Sequence, residues 1–376
     1  MEIEYYSFSD MNRTILENLH KLPCNIDIVV GIPRSGMLPA NLIALYLNKP
    51  FVDLDSFIEG RLFTTGERGS FISKSYASNK VLVMDDSIFQ GSALDHAKAK
   101  LNSFPHKTDY IFIFGVVYAL ETSAEKVDFY CKTTSPDRIF QWNLFHHPRF
   151  TTQAFFDIDG VLCPDPPIDD DGAVYAEYIA NAPVLHKPSV MIDTLVSCRL
   201  EKYRNITENW LKKNNIQYKQ LILLDFPNKA KRQEWGEHGI YKGEIYAKSN
   251  SYLFFESSLQ QAKTIFEIAQ KPVFCIETFS MFNHKRDFEL YDKNIYERIC
   301  YLEQKNQKQD SVYQDLLLNY NKLMEVSKKD VFQLEKSDAT IKLLRKKQVR
   351  HLSAIRLLSI ISILFMGILL FLIFRL

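Results

Sequence analysis

This 376-residue sequence has only six cysteines, and they are scattered along the chain. No two of them have the CxxC or CxxH spacing of a zinc site or a redox motif, so we expect reduced thiols and no disulfide framework. Residues 1–10 are acidic and aromatic, unlike the basic and apolar regions of a signal peptide, and we expect no signal peptide.

The sequence also lacks a strong charge of either sign, since its formal net charge is +1. Basic residues concentrate only at 341–356, where six Lys or Arg occur without an acidic residue. They are not combined with aromatic residues as on a nucleic-acid-binding face, and we expect no nucleic acid partner. The apolar fraction of 46% excludes global disorder, and the length fits two or three domains.

Proline and glycine almost vanish in the last part of the chain. After Pro272 there is no further proline, and Gly367 is the only glycine. Residues 284–354 are rich in Lys, Glu, Gln and Leu with imperfect heptads, which predicts a helical stalk. Two interpretations stay open for this stalk: a coiled coil that forms a homodimer, or a monomeric spacer.

The stalk is followed by eighteen uncharged residues, at 357–374. Such a run has about the length that a transmembrane helix needs, and preceding basic residues favour the cytosolic side. We therefore predict a single-pass C-terminal anchor at residues 355–376, with the protein on the cytoplasmic face of the inner (plasma) membrane. A buried helix of a globular domain is the alternative.

The chemistry of the first half is concentrated in residues 81–94. The apolar run Val81–Met84 ends in two adjacent carboxylates, Asp85 and Asp86, and a short loop then leads to a helical pattern at 93–101. This order predicts a buried parallel strand, a loop and a helix, and ligands bind at the carboxyl ends of such strands. Carboxylates accept hydrogen bonds from sugar hydroxyls or bind Mg²⁺, while a helix N-terminus favours phosphate. The pattern therefore predicts a site for a phosphorylated sugar with free hydroxyls.

A second predicted strand, at 25–31, leads into Gly31-Ile32-Pro33-Arg34-Ser35-Gly36. Two glycines and an arginine at a strand end favour an anion cradle, because backbone amides and a guanidinium converge there. A helical pattern follows at 38–47.

These two motifs, about fifty residues apart, resemble those of type I phosphoribosyltransferases. The resemblance implies that Asp85 and Asp86 hold the ribose 2- and 3-hydroxyls of phosphoribosyl pyrophosphate (PRPP). It implies that the 5-phosphate is bound by the loop consisting of Ser87, Ile88, Phe89, Gln90, Gly91 and Ser92, and the pyrophosphate by Gly31, Arg34, Ser35 and Gly36. Gln90 replaces the usual Thr of the family. Phe89 replaces the acidic residue of the 6-oxopurine branch, which argues against a hypoxanthine or guanine acceptor.

Between these motifs, residues 60–76 are polar, basic and punctuated by glycine. In the family a loop at this place closes over the reacting centre, which implies that Arg61, Arg68 and Lys74 stabilise the leaving pyrophosphate. A solvated β-hairpin is the open alternative. For Gln141–Asn143 and His146–His147 we expect a structural or acceptor-side role.

A second apolar strand that ends in two carboxylates is predicted near residue 151. The apolar run 152–156 leads into Asp157-Ile158-Asp159-Gly160-Val161-Leu162. Of two carboxylates one residue apart at a strand end, one can attack phosphorus while the other transfers a proton. The string resembles the first motif of haloacid dehalogenase (HAD) phosphatases. The resemblance implies that Asp157 is the nucleophile and Asp159 the general acid/base.

The same resemblance assigns the remaining phosphatase residues. Ser197 would bind the phosphate, with Arg199 nearby, and Lys242 rather than Lys248 would anchor it. Glu256 stands where the family generally has Asp. Together with Asp157 and Asp159 it would bind Mg²⁺, the expected cofactor.

The expected fold class is α/β, with two tandem parallel-sheet domains followed by the helical stalk and the transmembrane helix. The domains would be a phosphoribosyltransferase fold at 1–150 and a HAD Rossmann-like fold at 151–283. Phosphoribosyl transfer leaves a 5-phosphate that a fused phosphatase would remove. We therefore expect a bifunctional enzyme that adds ribofuranose to a glycan, with PRPP and a lipid-linked glycan acceptor as partners. The alternatives are nucleobase salvage, or PRPP sensing without turnover.

Overall fold

The computed structural model describes residues 2–62, 79–167, 171–295, 297, 300, 318 and 347–362. The chain divides into two compact units, Met1–Lys285 and Arg286–Leu376. The described strands of the first unit are β1 (Glu4–Tyr6), β2 (Ile26–Gly31), β3 (Phe51–Asp53), β4 (Lys80–Ile88), β5 (Ile111–Leu120), β6 (Phe129–Thr134), β7 (Arg138–Phe140), β8 (Ala154–Phe156), β9 (Ile192–Leu200), β10 (Tyr218–Leu224), β11 (Leu253–Glu256), β12 (Val273–Cys275) and β13 (Ser280–Phe282). Its described helices are α1 (Phe8–Asn18), α2 (Met37–Leu47), α3 (Leu54–Ile58), α4 (Ser92–Asn102), α5 (Pro148–Thr151), α6 (Gly172–Asn181), α7 (Arg204–Lys213), α8 (Lys229–Trp235), α9 (His238–Lys248) and α10 (Leu259–Ala269).

The first sheet has the strand order β3-β2-β4-β5-β6, and all its neighbouring strands are parallel. Its strands are apolar runs because both faces of the sheet are covered. In β4, Leu82 and Met84 belong to one hydrophobic cluster, whereas Val81 and Val83 belong to another on the opposite face. The strands predicted at 25–31 and 81–84 and the helix predicted at 38–47 correspond to β2, β4 and α2.

The second sheet has the order β10-β9-β8-β11-β12-β13, in which only β13 is antiparallel to its neighbour. The short strand β8 lies at its centre, between β9 and β11. Phenylalanines alternate across the pleat: Phe156 stacks on Phe255 at 4.2 Å between ring centroids, while Phe155 contacts Phe254 on the other face. The predicted α/β class with parallel sheets is confirmed.

A parallel two-stranded ribbon of β1 and β7, which we call the β1–β7 ribbon, joins the two sheets. Its residues alternate between two cores: Tyr5 and Ile139 pack in the core of the second sheet, as does Ile3 just before β1, and Tyr6 and Phe140 pack in that of the first. The amide of Ile3 donates to Asn283 Oδ1 at 2.9 Å, and Asn283 Nδ2 donates back to the carbonyl oxygen of Ile3 at 2.9 Å. Strands of three residues are too short to give a recognisable sequence pattern, so the sequence analysis did not predict the ribbon.

In the second unit, the described residues 286–295, 297, 300, 318 and 347–362 are helical. Most of the predicted stalk at 284–354 lies outside the described residues, so the coiled coil and the homodimer stay predictions. Residues 63–78 and 363–376 also lie outside them.

The prediction of a transmembrane helix is wrong. The prediction of an anchor in the inner membrane depended on that helix and is wrong as well. Within the described part of the chain, no helix is long and apolar enough to cross a membrane. Of the residues 355–376 that were predicted as the anchor, only 355–362 are described.

Candidate functional site

The two carboxylates of β4 lie side by side near the carboxyl edge of the first sheet, and both are almost buried. Asp86 Oδ1 accepts a hydrogen bond from Ser35 Oγ at 2.9 Å, and Asp86 Oδ2 accepts one from Trp142 Nε1 at 2.7 Å. Asp85 Oδ1 accepts from the backbone amide of Asp86 at 2.8 Å. The structure thus brings together Asp85, Asp86 and Ser35, and it adds the indole of Trp142.

The loop from Gly31 to Gly36 passes directly against this strand. A Cβ atom on Gly36 would lie 2.6 Å from the carbonyl oxygens of Ile32 and Met84 and 2.8 Å from Asp85 Cα. No side chain fits there, so Gly36 allows the predicted anion cradle to lie beside the carboxylates. Arg34 is exposed at the mouth of this site. A cavity of about 500 Å³ opens next to it, lined by Arg34, Ser35, Met37, Leu38, Asn41, Phe51 and Trp142.

The predicted phosphate loop, Ser87 to Ser92, joins β4 to α4. Gly91 has φ +98°, a left-handed conformation that suits glycine, and it caps the N-terminus of α4. Within the described residues, the backbone amides of Gln90, Gly91 and Ser92 donate no hydrogen bond. Free amides at a helix N-terminus are suited to an anion.

Only one of the three predicted pyrophosphate-stabilising cations falls in the described part of the chain. Arg61 is exposed and pairs with Glu59. Arg68 and Lys74 lie outside the described residues. Their role stays a prediction.

In the second sheet a buried lysine holds two carboxylates together. Lys242 Nζ donates to Asp157 Oδ2 at 2.6 Å and to Glu256 Oε2 at 2.7 Å, and all three residues are at most 5% exposed. Lys242 also donates to Gln261 Oε1 at 2.9 Å. Lys248, by contrast, has an 80% exposed side chain and lies 4.0 Å from Glu244. The structure therefore places Lys242, and not Lys248, in this cluster.

This cluster has a strong electrostatic signature. Burial raises the pKa of Asp157 to about 7, although the attraction of Lys242 opposes the shift. Burial also disfavours the charged lysine, but the negative charges of Asp157 and Glu256 prevail and raise the pKa of Lys242. A titratable carboxyl group near neutrality beside a fixed cation is typical of a catalytic centre.

Asp159 lies beside the cluster and forms a bidentate ion pair with Arg199. Arg199 Nε donates to Asp159 Oδ2 at 2.9 Å, and Arg199 Nη2 donates to Asp159 Oδ1 at 2.7 Å. Arg199 is only 1% exposed. Ser197, two residues earlier at the same strand end, is buried, and its Oγ accepts from the backbone amide of Arg199 at 3.2 Å. Both predicted phosphate-binding residues are therefore next to the carboxylates.

The hydrogen bonds of these side chains also limit the predicted Mg²⁺ site of Asp157, Asp159 and Glu256. No group of three His, Cys, Asp or Glu side chains in the described ranges is arranged to hold a metal ion. Glu256 Oε1 already accepts from the backbone amides of Ser257 and Ser258, and its Oε2 accepts from Lys242. As arranged here, these carboxylates do not fit a three-ligand cation site. Mg²⁺ stays a prediction.

Sequence reasoning missed several contacts of these sites. Trp142 contacts Asp86 across 56 positions, a separation that no local pattern reveals. Gln261, which binds Lys242, lies one turn into α10 and has no distinguishing motif. Asp165 is exposed beside Gly160, and partial desolvation together with the nearby Asp159 and Glu256 raises its pKa. Its place a few residues after Asp157 and Asp159 was the signal that could have revealed Asp165.

With both sites described, the chain can be compared with known proteins. Residues 5–148 match the family model of the phosphoribosyl transferase domain. This confirms the resemblance to phosphoribosyltransferases for residues 5–148, whereas the resemblance to HAD phosphatases stays a prediction. No protein with a curated description matches the sequence.

Solved structures resemble this chain at low identity. Xanthine-guanine-hypoxanthine phosphoribosyltransferase of Helicobacter pylori is 13% identical over 38% of this chain and 93% of its own, with a TM-score of 0.28. Purine phosphoribosyltransferase of Pyrococcus horikoshii is 18% identical over 38% of this chain and 94% of its own, also with a TM-score of 0.28. A chain of the Pnkp1/Rnl/Hen1 RNA repair complex is 13% identical over 73% of this chain and 94% of its own, with a TM-score of 0.26. At these values we draw no functional conclusion from the matches.

The carboxylate pair of the phosphoribosyl transferase domain is electrostatically strained. Burial, together with the neighbouring negative charge of Asp86, raises the pKa of Asp85 from 3.8 to about 8. The unfolded chain ionises this group near pH 4, so between about pH 4 and pH 8 unfolding releases a proton. The free energy of unfolding should therefore fall as pH rises through this window.

We expect Asp85→Asn to remove this pH dependence, because asparagine does not titrate. Relative to wild type, the variant should gain stability between pH 5 and pH 8, by at least about 1 kcal/mol, the equivalent of roughly one pKa unit. Melting temperatures at several pH values measure the effect. Asp27→Asn is the control, since Asp27 is also buried in this sheet and accepts from the amide of Lys80 at 3.3 Å. A parallel pH profile for wild type and Asp85→Asn would contradict the assignment.

Proposed function

We propose that this chain is a bifunctional enzyme that builds ribofuranosyl groups on a glycan. It transfers ribose 5-phosphate from PRPP to a sugar hydroxyl and then removes the 5-phosphate. The observation that carries the proposal is the presence of two different carboxylate sites in one compact unit: the Asp85–Asp86 pair beside free loop amides, and the Asp157–Lys242–Glu256 cluster.

In the transfer step, Asp85 and Asp86 accept hydrogen bonds from the ribose 2- and 3-hydroxyls, and the loop Ser87–Ser92 binds the 5-phosphate. Arg34 and the amides of the loop before α2 bind the pyrophosphate. The bond between ribose C1 and the pyrophosphate oxygen breaks, while the acceptor oxygen bonds to C1 from the opposite face and its proton passes to the departing pyrophosphate. Pyrophosphate leaves with the electron pair of the broken bond, and the configuration at C1 inverts.

In the second step, a carboxylate oxygen of Asp157 attacks the phosphorus atom of the transferred ribose phosphate. The bond between phosphorus and ribose O5 breaks, and Asp159, which must first part from Arg199 and take up a proton, gives that proton to O5. Water then attacks the phosphorus of the aspartyl-phosphate and passes a proton back to Asp159, which releases inorganic phosphate and restores Asp157. Lys242 offsets the charge of Asp157 and Glu256, and Arg199 orients Asp159 through both of its oxygens.

The acceptor is proposed as a glycan because a nucleotide product gains nothing from losing its 5-phosphate, whereas a ribofuranose-containing polysaccharide needs that loss. Phe89, which replaces an acidic residue of the 6-oxopurine branch, supports this choice. Its side chain is 48% exposed at the phosphate loop and offers no carboxylate to a purine. The lipid carrier that we expected for the glycan rested on the membrane helix and is not part of the proposal.

Pyrophosphate release tests the transfer step. Purified full-length protein is incubated with PRPP, Mg²⁺ and either glycans with free hydroxyls or free nucleobases. We expect pyrophosphate only with a glycan. Asp86→Asn should slow its release by roughly ten- to a hundredfold, because a charge-assisted hydrogen bond worth about 1.5–3 kcal/mol is lost. Release with a nucleobase instead would support salvage, and PRPP binding without any release would support a sensor.

A further inference from the structure

Three consecutive carbonyl oxygens of the phosphate loop accept hydrogen bonds from side chains that come from elsewhere in the chain. Arg138 Nη2 donates to the carbonyl oxygen of Ile88 at 2.9 Å, and Ser123 Oγ donates to that of Phe89 at 2.6 Å. Lys126 Nζ donates to that of Gln90 at 2.7 Å. The carbonyl side of the loop is therefore fully bound by the protein.

This arrangement determines where the amides of the loop point. In a trans peptide the C=O and the following N–H point in opposite directions. When the carbonyls of residues 88–90 face their donors, the amides of residues 89–91 face away from them. Of these, the amides of Gln90 and Gly91 have no partner within the described residues, and neither has the next amide, that of Ser92. Consecutive unpartnered amides form an anion-binding concavity.

Arg138 also brings a buried positive charge under the loop. The residue is 5% exposed, and its guanidinium carbon lies 5.7 Å from the ring centroids of both Phe89 and Phe140. Its hydrogen-bond acceptors in the described structure are carbonyl oxygens, those of Ile88 and Ser135, and no carboxylate forms an ion pair with it there. The negative charges of Asp86 and Glu4 act on it from a longer distance. A directly paired anion stabilises a buried cation best, and a bound phosphate is suited to supply one.

We propose that Ser123, Lys126 and Arg138 are positioning residues that orient the amides of the loop toward a sugar phosphate and supply its counter-charge. The inference rests on the proposed function, because it concerns the same phosphate loop. It extends that function to residues outside the loop, on the segment after β5 and on β7. The ligand class is a phosphate monoester on a pentose, bound as the dianion.

Calorimetric titration of full-length protein with ribose 5-phosphate and, separately, with pyrophosphate tests this inference. The two ligands probe different loops, since pyrophosphate should bind at Gly31–Gly36. We expect Arg138→Met to weaken ribose 5-phosphate binding about tenfold or more, as for loss of a charge-assisted contact. Lys126→Gln, at an exposed position, should weaken it about threefold. Pyrophosphate binding should change by less than about twofold in both variants, because neither residue contacts that loop.

Arg149→Met is the matched control. Like Arg138, Arg149 contacts a phenylalanine ring, at 5.7 Å, and donates to a backbone carbonyl, but it pairs with Asp137. This variant should bind both ligands as wild type does.

The outcomes separate the inference from the function on which it rests. If wild type does not bind ribose 5-phosphate, the proposed function is wrong and the inference with it. If wild type binds but Lys126→Gln and a folded Arg138→Met bind equally well, only the inference is wrong. Equal losses for both ligands would indicate a merely structural role and would also overturn it. Should Arg138→Met not fold, Lys126→Gln alone decides.

Discussion

Replacing Asp157 by asparagine should leave the product of the transfer step with its phosphate still attached. Asparagine keeps the shape of the side chain and its place beside Lys242, but its amide cannot form an aspartyl-phosphate. We expect dephosphorylation to fall by at least roughly a thousandfold, since loss of the nucleophile in another covalent mechanism lowers kcat by about 10⁶. With PRPP and a glycan acceptor, mass spectrometry should show the acceptor plus one ribose phosphate, and wild type should give the acceptor plus ribose.

Asp193→Asn provides the control for this experiment. Asp193 lies on β9 of the same sheet but pairs with Lys219 at 2.8 Å and accepts from Ser251 at 3.0 Å, away from the cluster. This variant should give the wild-type product. Two outcomes would contradict the coupled reaction. Accumulation of a nucleoside monophosphate would indicate salvage, and an unchanged end product for Asp157→Asn would mean that the second site acts on another substrate.

A chain that ends at residue 150 should not fold, although it contains the whole phosphoribosyl transferase domain. Ile3, Ile139, Leu144 and Phe150 are at most 1% exposed and pack in the core of the second sheet. Without that sheet all four side chains would be exposed to solvent. At about 1.5–3 kcal/mol for each buried side chain, roughly 6–12 kcal/mol is lost. This equals the whole stability of many domains, about 5–15 kcal/mol.

Circular dichroism and thermal melting of residues 1–150 and 1–285 measure this effect. The longer fragment contains the complete first unit and is expected to melt cooperatively. The shorter one should show no cooperative transition and should bind a hydrophobic dye. Cooperative melting of both fragments at the same temperature would mean that the two sheets are independent domains.

The local parts of the fold could be predicted because their signals are local. The apolar run before Asp85 and the run before Asp157 each belong to a central strand of a parallel sheet, and such strands are recognisable without knowledge of their partners. Their carboxyl ends then place the acids at the sheet edge. For the same reason the pairing of Lys242 with Asp157 was accessible only through a family resemblance, as 85 residues separate the two.

The failures have a common physical origin. Trp142 binds Asp86 and Arg138 supports the phosphate loop through contacts across 56 and 50 positions, and neither residue belongs to a motif. Strands of three residues, such as β1 and β7, are too short for a period to be measured. In the C-terminal segment, hydropathy alone predicted a membrane helix, but no helix of the described residues is long and apolar enough to cross a membrane.

The β1–β7 ribbon also determines when the protein can acquire its final structure during synthesis. Residues near the N-terminus emerge first, but the partner of Ile3 at Asn283 is 280 positions away. At about 5–20 residues per second, translation reaches that partner roughly 15–60 seconds later. For that time Ile3 and Ile139 are without the core that buries them, and their apolar surfaces are available to chaperones. The transferase domain is thus made first, but its structure cannot be completed until residue 283 has been synthesised.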